Sequence, residues 1–331
     1  MAAGWPGVEP THAAPTGQAH ASEEGVPTTD SSTLTPPLTN GAFAVTLIQR
    51  QVRRLGYLRA DVIADRDPEP LHQLRVSLRR LRTALRQFAL ALELPDGVND
   101  RRIAAVARRT GLCRDLDVLG GRLRQQLLPR LPGCEQRILN DAVKRLEQDR
   151  AQAFGTLRVA LHSPHYLKLL KRLDKWQRKP RFTRLGQLPL MPWLSDWQAP
   201  FTAGLFLHPG WLEQEPTADS LHELRKRIKQ ARYSLEPLEP WCGPSVLSWI
   251  QDLRQAQDHL GELHDLQILN RAFVEGASFR KAAHLPALRA ELEAQQRSHW
   301  LQWGELARRI QQDAYRATLQ RHLLELGNDP R

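Results

Sequence analysis

HQLRVSLRRLRTALR, residues His72 to Arg86, decides how the rest of the chain is read. At 100° per residue on an α-helix, His72, Arg75, Arg79, Arg82 and Arg86 share a stripe about 80° wide. Leu74, Leu78, Leu81, Leu85 and Phe88 occupy the opposite side, the apolar face of an amphipathic helix. Like charges one or two turns apart repel, at roughly a few tenths of a kcal/mol per pair. A solvated basic face is the ordinary account of such a helix, but this stripe has almost no acidic partner one turn away. The pattern points to an anionic ligand that balances the charge.

The stretch recurs. HELRKRIKQARY, His222 to Tyr233, repeats it 150 residues later: His72 corresponds to His222, Arg75 to Arg225, Arg79 to Lys229 and Arg82 to Arg232. The same offset carries GLCRDLDV (Gly111 to Val118) onto GELHDLQI (Gly261 to Ile268). Two motifs at one offset argue for a duplicated unit. The second stripe adds Lys226 and Tyr233, and Glu236 stands at the phase of Arg86. From Arg75 to Arg86 a helix rises about 16 Å, so each stripe is expected to follow several linked anionic groups, as a track rather than a pocket.

The charge supports this reading. The chain carries a formal +11, and its halves differ: residues 1–40 hold no Lys or Arg and four acids, residues 41–180 hold 29 basic and 14 acidic residues, and residues 181–331 hold 18 of each. A basic first half calls for a polyanionic partner and electrostatically steered capture. No apolar run approaches the roughly 20 residues of a membrane span, and no secretory signal pattern opens the chain. Cys113, Cys134 and Cys242 lack metal spacing and leave one thiol unpaired in any disulfide scheme, which fits a reducing cytoplasm.

Periodicity predicts an all-α chain. Residues 1–40, rich in Pro, Thr, Ser and Gly, are expected to be a disordered tail. Helices follow over about 42–65, 70–94, 99–128 and 135–179, the last broken near Ser163-Pro164, and no run alternates with period 2. A Pro- and Trp-containing linker covers 181–193. Further helices are expected over about 194–207, 218–238, 245–273 and 285–326. The expected architecture is two pseudo-symmetric helical bundles, 41–180 and 194–327, around a basic central groove or pore.

Arg50, Arg53 and Arg54 on the first helix extend the first basic face, while their counterparts Pro200, Ala203 and Gly204 are not basic. Asp115 and Asp265 are equivalent acids, read either as orienting neighbouring arginines or as ordinary salt-bridge partners. Gly111 and Gly261 are expected to allow close helix approach. Neither His72 nor His222 has a second ligand one turn away, so no metal is expected. There is no phosphate-cradling Gly-rich loop, no kinase signature and no sign of a cofactor. Two other functions compete with polyanion storage or capture. A nucleic-acid-binding protein would explain the charge, but only Tyr233 and Tyr57 accompany the stripes and no known nucleic-acid module is present. A phosphate-processing enzyme would call for a carboxylate cluster to hold Mg²⁺, and only the isolated Asp115 and Asp265 stand near the motifs.

The paired motifs HQLRVSLRRLRTALRQF with GLCRDLDVL, and LHELRKRIKQARYSLEPL with GELHDLQIL, resemble the signatures of the CHAD domain, the conserved histidine α-helical domain. The resemblance covers 41–327. It implies two pseudo-symmetric helical bundles forming a basic groove or pore that binds inorganic polyphosphate, often near polyphosphate granules; the leading expectation is a polyphosphate-binding protein that is not an enzyme. By motif match it implies phosphate contacts from His72, Arg75, Arg79, Arg82, His222, Arg225, Lys226, Lys229, Arg232 and Tyr233. Val76 stands where the second copy has Lys226, and the helix over 194–207 lacks arginine, so unequal contributions from the two halves are expected, the first being the stronger.

Overall fold

Thr39 opens the first helix by accepting a hydrogen bond from the backbone N–H of Ala42, as an N-cap hydroxyl does. In the computed structural model, which describes residues 38–275 and 285–328, this helix is α1 (Asn40–Ala64). The expected tail, apart from residues 38–40, lies outside the described residues. The basic stripe stands on α2 (Glu69–Gln87), followed by α3 (Asp100–Arg109) and α4 (Gly111–Arg122). Next come α5 (Gly133–His162), α6 (Pro164–Arg178) and the single turn α7 (Arg184–Gln187). The second half contains α8 (Leu194–Phe206), α9 (Asp219–Leu235), α10 (Pro244–Glu275), α11 (Pro286–Gln311) and α12 (Asp313–Asn328). No strand occurs among the described residues, only two isolated bridges, so the all-α reading holds.

Three boundaries differ from the periodicity, and two of them have a local reason in hydrogen bonding. The stripe helix stops at Gln87 instead of Leu94, because the backbone at 91–93 pairs with the linker: Glu93 N–H donates to Arg181 O, and Thr183 N–H to Ala91 O. The helix expected over 99–128 breaks at Thr110, which is fully buried and donates its hydroxyl to Ala107 O at 2.8 Å. Beyond α4 the chain loosens into a π-helical turn, Leu123–Leu127. The C-terminal run breaks at Gln312, between α11 and α12.

The stripe helices α2 and α9 touch each other; α2 packs on α1 and α3, α9 on α8 and α10. Their apolar faces are buried as the pattern requires, with Leu74, Leu78, Leu81, Leu224 and Ile228 almost wholly covered. Two apolar clusters hold the fold, and both draw on both halves of the sequence. The larger runs from Phe43 to Leu323; the smaller joins Leu123–Leu146 to Leu266–Leu292. Glu135, buried on α5, caps α11 by accepting from the N–H groups of Ala287 and Leu288, both at 2.9 Å. Within the first half, Arg150 on α5 holds Asp65 at the end of α1 and Asp117 on α4.

Candidate functional site

A cavity of about 570 Å³ lies where α2 and α9 meet α4 and α10. Its lining falls into pairs 150 residues apart: His72 and His222, Arg75 and Arg225, Arg79 and Lys229, Arg114 and His264, Asp115 and Asp265, Val118 and Ile268. Leu119, Arg122, Lys226 and Gln257 complete it. Thus the two recurrent motifs of each half, far apart in sequence, converge on one space.

The arginines are held in matching ways. Arg75 Nη1 donates to Ala107 O and Thr110 Oγ1, both at 3.1 Å, and Arg225 Nε donates to Gln257 O at 3.4 Å, again at an offset of 150. The glycines of the second motif make room for them. A Cβ on Gly261 would lie 2.7 Å from Arg225 Nη2, and one on Gly111 would lie 3.4 Å from Arg75 Nη1. The expected close approach is therefore that of a guanidinium onto a helix. Among the described residues Asp115 and Asp265 make no ion pair; they act through space, each raising the pKa of its arginine against a larger lowering by burial.

Seven Arg and Lys side chains and two carboxylates line this space. From outside it Glu223 pairs with Lys226 at 2.6 Å and Glu262 with Arg122 at 2.9 Å, which leaves five of the cations without an ion pair among the described residues. Burial followed by the charges of Arg225 and Arg79 holds the Lys229 ammonium well below its ordinary pKa, so the two halves feel each other across the cavity. All three histidines are shifted down by burial first; the cations Arg114 and Lys226 then act on His72 and His222 respectively. His264 falls to about 4, with His222, whose ring centre is 4.1 Å away, as the next cause after burial. Arg79 Nε, Arg122 Nε, and the Nδ1 atoms of His222 and His264 are buried without a hydrogen-bond partner. Buried polar nitrogens ordinarily find partners, so this concentration of orphans suits an anion with many oxygens.

The cavity takes in His72, Arg75, Arg79, His222, Arg225, Lys226, Lys229, Asp115 and Asp265, but not the full stripes. Arg82 is drawn away by a two-point ion pair with Asp100 at the start of α3, Nε to Oδ1 at 2.7 Å and Nη2 to Oδ2 at 3.1 Å. Arg86, in the last turn of α2, is exposed. Arg232 is buried against Glu236 and lies over the Tyr233 ring, 4.7 Å from its centre. Tyr233 and Arg50 line a separate cavity of about 510 Å³ with Arg80 and Glu236. Arg54 bonds Gln73, and Arg53 is exposed. The expected track is thus cut to a pocket between the first turns of the two stripes.

Arg114, Arg122, Gln257 and His264 line the cavity beyond the residues that the sequence singles out. Arg114 and His264 directly precede Asp115 and Asp265 in the recurrent motif, so the repeat itself carried their signal. Arg122, 6% exposed, offered none; it reaches the cavity because the Glu262 carboxylate at 2.9 Å and Gln295 Oε1 at 2.8 Å hold it. Among the described residues no group of three or more His, Cys, Asp or Glu is placed to hold a metal, and no helix is long and apolar enough to cross a membrane.

Known proteins agree with this architecture. The crystal structure of the CHAD domain from the plant Ricinus communis superimposes with a TM-score of 0.61 at 24% identity, covering 86% of this chain and 92% of that one. PptA from Streptomyces chartreusis superimposes with a TM-score of 0.53 at 18% identity, covering 81% of this chain and 99% of its own. At these identities the likeness concerns the fold. No curated protein sequence matches the chain. The CHAD domain family model, however, matches residues 46–274, which include both stripe helices and both glycine-led motifs, and the chain belongs to the CHAD domain family.

Proposed function

We propose that this chain binds inorganic polyphosphate in the cavity between α2 and α9. The observation that carries the reading is the convergence of seven Arg and Lys side chains, among them Arg79 and Arg122 with their Nε atoms unpartnered, on one space between equivalent motifs. The family is linked to polyphosphate binding, which supports the same ligand. Arg guanidinium forks take phosphate oxygens in pairs where geometry permits, Lys226 supplies a point charge, and a bound phosphate offsets the burial and cationic neighbours that disfavour the Lys229 ammonium. His72, His222 and His264, whose pKa values burial lowers, donate through one ring nitrogen when neutral, or through both when the charge of a bound phosphate favours uptake of a proton from solvent.

On this reading the protein holds its ligand without cleaving it. Each carboxylate lies beside an arginine, Asp115 by Arg75 and Asp265 by Arg225, in positions suited to balancing charge. Titration with long-chain polyphosphate, with DNA and RNA as competitors, tests the proposal: polyphosphate should win, and equal or better binding of nucleic acid overturns it. Phosphate release in the presence of Mg²⁺ or Mn²⁺ would replace the binding role with an enzymatic one. In cells, a fluorescent fusion is expected in the cytoplasm at polyphosphate granules and should disperse where polyphosphate is not made.

A further inference from the structure

The charge of the first half exceeds what the central cavity uses. Residues 41–180 contain 29 Lys and Arg, of which only Arg75, Arg79, Arg114 and Arg122 line that cavity. A second concentration lies on the other side of α3. There a cavity of about 340 Å³ opens between α3 and the start of α6, lined by Arg102, Arg109, Lys168, Arg172 and His165 and by no carboxylate.

Three features separate this groove from an ordinary solvated face, on which acids and bases interleave. First, each helix has a single acid and it is engaged elsewhere: Asp100 on α3 holds Arg82, and Asp174 on α6 holds Arg178. Second, the start of α6, capped by Ser163, lines the groove, so the positive end of a helix dipole stands at its edge. Third, the guanidinium groups of Arg102 and Arg172 crowd one point above Gly97, where a Cβ would overlap both Nη1 atoms and where φ is +78°. Arg102 Nη1 rests on the Gly97 carbonyl at 3.4 Å, and two like charges drawn together there repel unless an anion compensates them.

The groove continues along α6. Arg172 also borders a shallow opening with Lys175, Arg178 and Lys179, where Asp96 is the one acid. Lys168, Arg172, Lys175 and Lys179 recur at helical spacing and span about 16 Å, the length of several linked phosphates.

We propose that the α3–α6 groove is a second polyphosphate station, which takes a further stretch of the same chain that the central cavity holds. The inference rests on the polyphosphate reading above. α3 joins the stations: its Ala107 carbonyl fixes Arg75 at the cavity, while Arg102 and Arg109 line the groove. A phosphate chain long enough to reach both gains avidity from the second contact, and a short one does not.

The test compares tripolyphosphate with long-chain polyphosphate, using the full chain and its R102E/R172E and R79E/K229E variants. R102E/R172E, altered at exposed positions, should bind long-chain polyphosphate about tenfold or more weaker and tripolyphosphate as before. Unchanged tripolyphosphate binding also shows that the variant has folded. Wild-type affinity for the long chain in R102E/R172E overturns the second station and leaves the central one standing. Wild-type affinity for both ligands in R79E/K229E overturns the central reading instead.

Discussion

Arg80 Nη2 on α2 meets Glu236 Oε2 at 2.6 Å, just past the end of α9, so that one ion pair ties the two stripe helices together. The same carboxylate receives Arg232 Nη1 at 2.5 Å. Glu236 stands at the phase of Arg86 on the helical wheel, and its negative charge there serves the junction of the halves.

The two sides of that junction should respond unequally to truncation. Glu236→Ala leaves Arg232 buried without a counter-charge and is expected to cost about 3 kcal/mol. Arg80→Ala removes a side chain 28% exposed and is expected to cost about 1 kcal/mol or less. Urea unfolding midpoints at constant slope measure both. Equal losses would show that Arg80, not the burial of Arg232, dominates.

Placement within the stripe, rather than membership of it, should decide polyphosphate affinity. Arg79→Glu is expected to weaken binding about tenfold or more, as loss of charge-assisted hydrogen bonds does. Arg86→Glu, at an exposed position outside the cavity, should leave the affinity of a short polyphosphate almost unchanged. The cavity holds four cations from the first half and three from the second. Reversal of Arg75 with Arg79, and of Arg225 with Lys229, should therefore weaken binding by similar factors in calorimetric titration, despite the lopsided charge of the whole chain.

Gly261→Ala should separate stability from binding. Alanine favours a helix interior by about 1 kcal/mol over glycine, so the melting temperature should hold or rise. The new methyl group would stand 2.7 Å from Arg225 Nη2, forcing the guanidinium aside and weakening polyphosphate binding. Gly111→Ala, with 3.4 Å to Arg75 Nη1, should do less harm. Equal affinity in Gly261→Ala and wild type would show that Arg225 need not rest on this helix.

Acid should act oppositely on the free and the loaded protein. His264 titrates near 4 when folded and near the ordinary 6.5 when unfolded. Between those values the unfolded chain holds more protons, so this contribution to stability is complete above about pH 6.5 and is lost as pH falls toward 4. His72 and His222 shift in the same direction. Bound phosphate favours the imidazolium, so affinity should rise over the same descent. Thermal melts with and without polyphosphate measure both trends, and His264→Asn should flatten them.

Helix content and the pairing of the two stripes were legible because amphipathic spacing and a shared offset are properties of residue order. Leu74 and Leu78 on one face, and Arg75 and Arg79 on the other, read directly from the pattern. What could not be read is how far each stripe faces its partner. Asp100 takes Arg82 through a contact between helices, and Glu236 takes Arg232 beside a tyrosine ring. Wheel phase says which side a residue faces, but not which acid waits there. Arg122 was invisible for the same reason, since its place depends on Glu262 and Gln295 far along the chain.

Both apolar clusters are built from both halves, and this bears on how fast a ligand is caught. Neither half can swing away without baring Leu and Trp side chains to water, so the cavity walls stand in place before any phosphate arrives. On the polyphosphate reading, capture is then expected to be a collision with charge already arranged, without a closing step. The association rate should accordingly fall steeply as salt is added, while the dissociation rate responds far less.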